Sequence, residues 1–318
     1  MEDGKNIAVA IPCYKVEQHL EQVVQGLPAF IDHIVLVDDC SPDGTPALVD
    51  RLAAADARIV AIHHKVNRGV GGAMKTAFRK AVELGVDAVV KVDGDGQMDP
   101  QFIEPLVQAL DHSEFAKGNR LFDRQMLRRM PAVRRMGNLG LGFMVKAASG
   151  YWNVSDPVNG FFAVRAETLR RMDLERVADS FFFESSMLIE LYYTGARIVE
   201  VPMPAIYGNE QSNLSIGKTL FSFPTRLAAA WLRRLYLSYF VYEFNICSLY
   251  ILVGVPSFLF GLVFGLCNWI HYASIHSPSP TGTIMVAVLT FILGFQMLLA
   301  AAQYDITARN PFDKNRPQ

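Results

Sequence analysis

From Phe244 to Tyr304 the chain carries no Asp, Glu, Lys or Arg, and only the stretch HYASIHSPSPTGT, residues 271–283, divides this run. Two helices of about 20 residues fit on either side, the length a bilayer core demands. The reading is a transmembrane hairpin, roughly 246–270 and 284–303. A buried helical pair in a soluble core is the alternative, but such helices usually keep a polar face. Arg226, Arg233 and Arg234 precede the first span, Arg309, Lys314 and Arg316 follow the second, and the loop between has neither Lys nor Arg. The positive-inside rule then places both termini in the cytoplasm.

The hairpin accounts for the mean hydropathy of +0.19 and an apolar content of 51%. A formal net charge of −1 supplies no basic field for nucleic acid. The opening MEDGKNIAVAIP has no apolar core before a small-residue cleavage site, so no signal peptide is expected and the first ~225 residues are expected to face the cytosol. Cys13, Cys40, Cys247 and Cys267 form no C-x-x-C pair, which predicts reduced thiols and no zinc.

Ahead of the hairpin, short apolar runs alternate with amphipathic segments. Strands are expected at 6–12, 33–39, 58–64 and 87–93, with helices near 16–28, 45–55 and 71–85; further strands fit 160–165 and 196–202, and a helix 181–194. Strands that are apolar on both faces, alternating with helices, predict a mostly parallel sheet covered on both sides. Ligands of such sheets bind beyond the carboxyl ends of the strands. Polar residues gather there: Pro12, Tyr14 and Glu17 after the first, VDDCSPDGT (37–45) after the second, NRGVGGA (67–73) after the third, and VDGDGQMDP (92–100) after the fourth.

Asp93 and Asp95 stand two apart, so on a strand they would share a side, with Gln97 in the same parity. Two carboxylates among glycines suit Mg²⁺ or Mn²⁺, which take oxygen ligands and leave positions for substrate phosphates. A polar turn is the plainer reading of the same residues. Asp38 or Asp39 offers a carboxylate for a base or ribose, or else caps a helix start at Thr45-Pro46. Around Gly69 neither a P-loop nor a dinucleotide fingerprint fits, since Lys75-Thr76 follow Gly72 by three residues and the third glycine is missing. What remains is a glycine-rich turn whose bare backbone suits a nucleotide. Arg120, Arg124, Arg128, Arg129, Arg134 and Arg135 crowd one segment, a pattern for phosphorylated lipid or for a solvated helix face.

IPCYKVEQHL, VLVDDCSPDGT, NRGVGGAMKTAF, VKVDGDGQMDP, KGNR, DPVNGFFAVR and ARIVEVP together resemble the family 2 glycosyltransferases, in their order, over about residues 6–205. The branch most similar is the polyprenyl-phosphate, dolichol-phosphate mannose synthase-like one. The resemblance implies a GT-A-like catalytic domain at 1–214, an amphipathic juxtamembrane segment at 215–243, and a transmembrane hairpin with a cytosolic tail at 244–318. It implies transfer, with inversion, of a hexose from a nucleotide-diphosphate sugar, UDP-linked or GDP-linked, to a polyprenyl phosphate, with Mg²⁺ or Mn²⁺ as cofactor. It leaves a homo-oligomer open.

Residue by residue, Pro12, Tyr14, Glu17, Asp39 and Gly69 resemble the nucleotide-binding group. Asp93, Asp95 and Gln97 resemble the metal and diphosphate ligands. Arg120 matches the phosphate-meeting arginine, and Asp156 the acidic position that orients the acceptor or acts as base. Arg134 or Arg135 matches an acceptor-phosphate arginine. Glu17 lies further from Tyr14 than the family's P-x-Y-N-E pattern has it. Where that branch shows Y-x-R-x-x-G-x-S-K, this chain reads YGNEQSNLSIGK, with Asn209 for Arg, Ser212 for Gly, and Lys218 as a substitute charge. Competing readings are a transferase making polysaccharide or glycolipid, and a silent sugar-nucleotide-binding scaffold. The Q-x-x-R-W of processive synthases is missing around Trp231, in AAAWLRRL, and the acidic pair argues against silence.

Overall fold

In the computed structural model, residues 4–122, 132–204 and 216–313 are described, without the side chains of 132–135, 138 and 216–221. Two compact units emerge, Met1–Trp231 with Phe312–Gln318, and Leu232–Pro311.

The first unit is built on seven strands: β1 Ile7–Cys13, β2 His33–Asp38, β3 Ile59–His63, β4 Ala88–Lys91, β5 Phe115–Asn119, β6 Phe162–Arg165 and β7 Ile198–Pro202, ordered β3-β2-β1-β4-β6-β5-β7. β1 to β4 pair in parallel, β6 runs antiparallel to both β4 and β5, and β7 lies parallel to β5. Both faces are covered, which is why the first strands are apolar at nearly every position. Val9, Ile11, Leu36 and Val90 face one core, and Ala8, Ala10, Val35, Val37 and Val89 face the other. Pro12 is tolerated in β1 because the ladder to β4 ends at Ala10, leaving its missing N–H without a partner to serve.

The helices of this unit are α1 Leu20–Gln25, α2 Thr45–Ala55, α3 Gly69–Glu83, α4 Ile103–Ala109, α5 Ala132–Ser149, α6 Ala166–Arg171 and α7 Phe183–Thr194. β5, α4 and α5 were not expected from the sequence. Lys117 and Asn119 interrupt β5's apolar pattern, yet all five of its residues are buried. Gly137, Gly140 and Gly142 weaken the helical pattern of α5.

α8, Ile216–Tyr236, continues into a π-helical turn at Leu237–Tyr242. In the second unit, α9 (Ile246–Ser274) and α10 (Thr281–Thr307) form the hairpin, with mean hydropathies of 2.2 and 2.4 over their most apolar windows. Each is long and apolar enough to cross a bilayer. Asn245 and Ser248 cap α9 reciprocally, through Cys247 N to Asn245 Oδ1 and Asn245 N to Ser248 Oγ, both 2.9 Å. Gly261 and Gly294 let the helices touch, since side chains there would collide with the backbone of Phe291 and Phe258.

Candidate active site

At the tips of β1 and β2 the backbone turns sharply, and Lys15 and Cys40 adopt left-handed conformations at φ 57° and 58°. Tyr14 is exposed there, with the Lys15 ammonium 5.4 Å from its ring centre. Glu17 does not lie idle beyond it: its Oε2 accepts from Gly44 N at 3.0 Å and pins the turn before α2. Asp38 and Asp39 are both buried. Asp38 accepts from Ser41 N at 3.1 Å, whereas Asp39 accepts from Arg68 N at 2.9 Å and Gly69 N at 2.7 Å, with His64 Nδ1 2.7 Å away. Asp39 therefore fixes the glycine-rich turn. Side chains at Gly69 or Gly71 would strike the backbone of Ala178 and Asp179, and Gly71 N donates to Asp179 O at 2.8 Å. Close packing of this chain's own backbone accounts for the lack of side chains at Gly69 and Gly71.

The VDGDGQMDP stretch sits differently from its strand parity. β4 ends at Lys91, and the chain bends at once through Asp93-Gly94-Asp95-Gly96, with Gly96 at φ 75°. Alternation therefore does not set the directions of Asp93 and Asp95; the turn does. Asp95 Oδ1 accepts from Gln97 N at 3.0 Å. Beneath Asp93 lies Lys91, fully buried, its Nζ 2.6 Å from Asp93 Oδ1 and 3.6 Å from Glu184 Oε1. Burial works against its charge, but Asp93, Glu184 and Asp95 outweigh it and raise its pKa. Gly160 completes the group: a Cβ there would stand 2.7 Å from Lys91 Nζ, 3.3 Å from Glu184 Oε1 and 3.4 Å from Asp93 Oδ2.

Sheet register sets a second buried lysine beside the first. Lys91 and Lys117 both pair with Phe162, so the three side chains share one face across β4, β6 and β5. Lys117 donates to Asn159 O, and burial pushes its pKa down to about 8 despite Asp156 and Glu184. Just beyond β5, Arg120 forks onto Asp156, Nε to Oδ2 at 2.8 Å and Nη2 to Oδ1 at 3.2 Å, and its backbone N reaches Oδ2 at 3.2 Å. Asp156 is 2% exposed at its side chain and Arg120 37%. On β7, Glu200 Oε1 accepts from Ser155 N at 2.7 Å and Asp156 N at 3.0 Å, and its Oε2 from Asn119 Nδ2 at 3.1 Å.

Residues 8–172 match the family model described as glycosyl transferase family 2. The chain belongs to this family. As a family 2 glycosyltransferase it is 32% identical to UDP-N-acetylglucosamine–dolichyl-phosphate N-acetylglucosaminyltransferase of Methanococcus voltae, over 68% of this chain and 94% of that protein. It is also 32% identical to undecaprenyl-phosphate mannosyltransferase of Micrococcus luteus, over 54% of this chain and 70% of the relative. Glucosyl-3-phosphoglycerate synthase from Mycobacterium tuberculosis shares the fold, with a TM-score of 0.52 and 20% identity, over 72% of this chain and 80% of that one.

The family 2 chain thus brings together Asp93, Asp95 and Gln97 at one bend, and Arg120 with Asp156 at another, on the carboxyl side of β4 and β5. Lys91, Lys117, Glu184 and Glu200 were not anticipated. Their signal was present as charged residues inside otherwise apolar runs, VVKVD, FAKGN, FFFES and IVEVP. The side chains of Arg134, Arg135 and Lys218, and residues Asn209 and Ser212, lie outside the described residues.

Among the described residues no three of His, Cys, Asp and Glu gather as a metal cage. Magnesium commonly takes one or two carboxylates and completes its shell with substrate phosphates and water. Asp93 and Asp95, partly exposed and five residues or fewer from strand β4, fit that donor set, even with Lys91 on one oxygen of Asp93. A cavity of about 600 Å³ lies instead at the opposite edge, against Lys5, Asp87, Asp111 and Arg165. It does not mark the chemistry: it adjoins the amino end of β4, and Asp111, Asp87 and Arg165 are engaged by Lys5, Asn6 N and Leu110 O.

Proposed function

We propose that this glycosyltransferase moves a hexose, with inversion, from a UDP-linked sugar to a polyprenyl phosphate, giving a lipid-phosphate-linked sugar. The observation that carries the reading is the convergence beyond β4 and β5 of an acidic pair with a forked arginine–aspartate pair, in a chain whose relatives are named for transfer to dolichyl and undecaprenyl phosphate.

Leaving of the nucleotide diphosphate builds negative charge, which fixed positive groups stabilise. Arg120 serves there as a bidentate phosphate donor. A bound Mg²⁺ or Mn²⁺, held by Asp93, Asp95 and Gln97, would supply further positive charge at the diphosphate. Lys91 holds Asp93 in place. Pro12, Tyr14, Glu17, Asp39 and Gly69 frame the nucleoside. A lipid phosphate, with a second pKa of about 6, is largely dianionic at neutral pH and needs little base assistance. Asp156 orients it, and Arg134, Arg135 and Lys218 attract it. In this reading residues 1–214 are the cytosolic catalytic domain, 215–243 lie in the headgroup plane, and the hairpin within 244–318 spans the membrane with both termini in the cytoplasm.

The test uses purified protein with Mn²⁺ or Mg²⁺, a panel of radiolabelled nucleotide sugars, and undecaprenyl or dolichyl phosphate. Metal-dependent label in lipid extracts is expected from one UDP-linked donor, and Asp95→Ala should abolish it. Nucleotide binding without lipid label from any donor overturns the acceptor assignment.

A further inference from the structure

Arg120 has one guanidinium fork, and Asp156 holds it through Nε at 2.8 Å and Nη2 at 3.2 Å. The reading above, on which this inference rests, needs the same fork for a phosphate. Exchange of partners would strip the nearly inaccessible Asp156 of its main counter-charge and loosen the segment leading to β6, unless another group holds that segment. Glu200 is placed to do so. Its Oε1 takes the amides of Ser155 and Asp156 at 2.7 and 3.0 Å, and its Oε2 takes Nδ2 of Asn119, the residue before Arg120, at 3.1 Å. Asn119 Oδ1 in turn accepts from Leu121 N at 2.9 Å. One carboxylate therefore grips the main chain at Asp156 and, through Asn119, both sides of Arg120, by charge-assisted bonds that use neither side chain of the forked pair. Lys117 to Asn159 O, and Asn159 Nδ2 to Gly118 O at 2.7 Å, close the far end of the same segment.

We propose that Glu200 is a positioning residue, holding Asp156 and the Arg120 end of β5 in register while Arg120 exchanges the carboxylate for a phosphate oxygen. A carboxylate at this point of β7 has no packing reason to be there, since β7 is an edge strand whose Ile198 and Val201 already meet the two cores.

The experiment uses the full chain in detergent with Glu200→Ala and Glu200→Gln. Nucleotide release is followed with and without undecaprenyl phosphate, UDP binding is titrated separately, and amide exchange is read on the peptide covering 150–160. Glutamine keeps one carbonyl oxygen for both amides but turns a donor toward Asn119 Nδ2, so Glu200→Gln should lose less than Glu200→Ala and about as much as removal of the Asn119 tie, roughly threefold. Glu200→Ala should lose protection at 155 and 156, lower kcat at least tenfold and raise the KM for lipid phosphate, with UDP affinity unchanged. The proposal is overturned if Glu200→Ala keeps kcat and KM within threefold, or if UDP affinity, kcat and thermal midpoint fall together as for a merely structural residue. Should Glu200→Ala not fold, Asn119→Ser, which cuts the Oε2 tie together with the Oδ1 bond to Leu121 N and leaves both Oε1 bonds, is held to a threefold loss in kcat at unchanged UDP affinity, and no loss overturns the proposal. Wild-type release that lipid phosphate does not stimulate sinks the acceptor assignment instead; Glu200→Ala is then scored by the same tenfold criterion on release to water.

Discussion

Arg120 with Asp156 in the first unit and Arg234 with Asp305 in the second are both forked arginine–aspartate pairs between residues distant in sequence, and the two differ in how they meet solvent. In the catalytic unit Arg120 forks onto Asp156 with the arginine side chain 37% exposed. In the hairpin unit Arg234 binds Asp305 through Nη1 at 2.8 Å and Nη2 at 2.7 Å, with both side chains at 5% exposure or less. Asp305 also accepts from the Tyr239 hydroxyl at 2.7 Å. Asp305 lies in the last turn of α10, where the helix dipole disfavours a negative charge, so its partners also offset the helix end. The sealed fork has no route to a ligand and can only hold helices together. The open one presents a guanidinium that a phosphate can reach. Geometry alone does not separate a clamp from a binding group; access does.

The largest effect expected from this contrast is on the sealed pair. Arg234→Met leaves Asp305 charged and buried, and should cost about 3–5 kcal/mol of stability, read as a fall in thermal midpoint in detergent. The double change Arg234→Met with Asp305→Leu should recover most of it, because two apolar side chains can replace a buried ion pair at little cost. Arg120→Met should do the opposite: about 10²–10³-fold less transfer, as for loss of one charge-stabilising donor, with a smaller change in midpoint, since Lys117 remains as a neighbouring charge and water can enter where the exposed arginine stood. Adding Asp156→Leu to it should restore no activity. If Arg120→Met destabilises as strongly as Arg234→Met, the open fork is a clamp after all.

The parallel half of the sheet and the hairpin were legible for one reason: both appear in the sequence as long, nearly charge-free apolar runs, with Lys91 an exception in the sheet. The mixed half was legible only in part. β6 and β7 were read at 160–165 and 196–202, but β5 was missed, because the charge of Lys117, solved by a partner distant in sequence, breaks its apolar pattern. Asp93 and Asp95 were found by their spacing, although the parity argument for them fails because β4 stops at Lys91. Arg234 was visible only as a flank charge, and its match to Asp305, the first acidic residue after the charge-free run, needed the folded hairpin.

Lys117 sharpens the contrast within the catalytic unit. Burial lowers its pKa to about 8, below the ~10.4 of a free lysine. Below pH 8 both folded and unfolded chains hold this proton, and the folded state bears the whole cost of burying it. Between pH 8 and about 10 the unfolded chain binds more protons, so this cost is relieved as pH rises. Wild type should therefore gain stability relative to Lys117→Met across that window, by up to about 3 kcal/mol, in chemical denaturation followed at each pH. A flat difference would mean that Asp156 and Glu184 hold the ammonium charged throughout, as Asp93 and Glu184 do for Lys91.

The smallest effect tests how fully the hairpin fork is sealed. Tyr239 lies in the π-helical turn at Leu237–Tyr242, its hydroxyl on the Asp305 oxygen that Arg234 Nη1 also uses. Tyr239→Phe removes one hydrogen bond to a charged acceptor and nothing else of size, a change worth about 1.5–3 kcal/mol when the acceptor has no substitute. Asp305 keeps both arginine bonds, so the loss should fall at the lower end, about 1.5 kcal/mol, with transfer activity per folded molecule unchanged. A loss matching that of Arg234→Met would show that the hydroxyl orders the fork, making the widened turn rather than the ion pair the element on which this unit depends. No loss at all would show that water reaches Asp305 and replaces the phenol, and the two forks would then differ in degree of access rather than in kind.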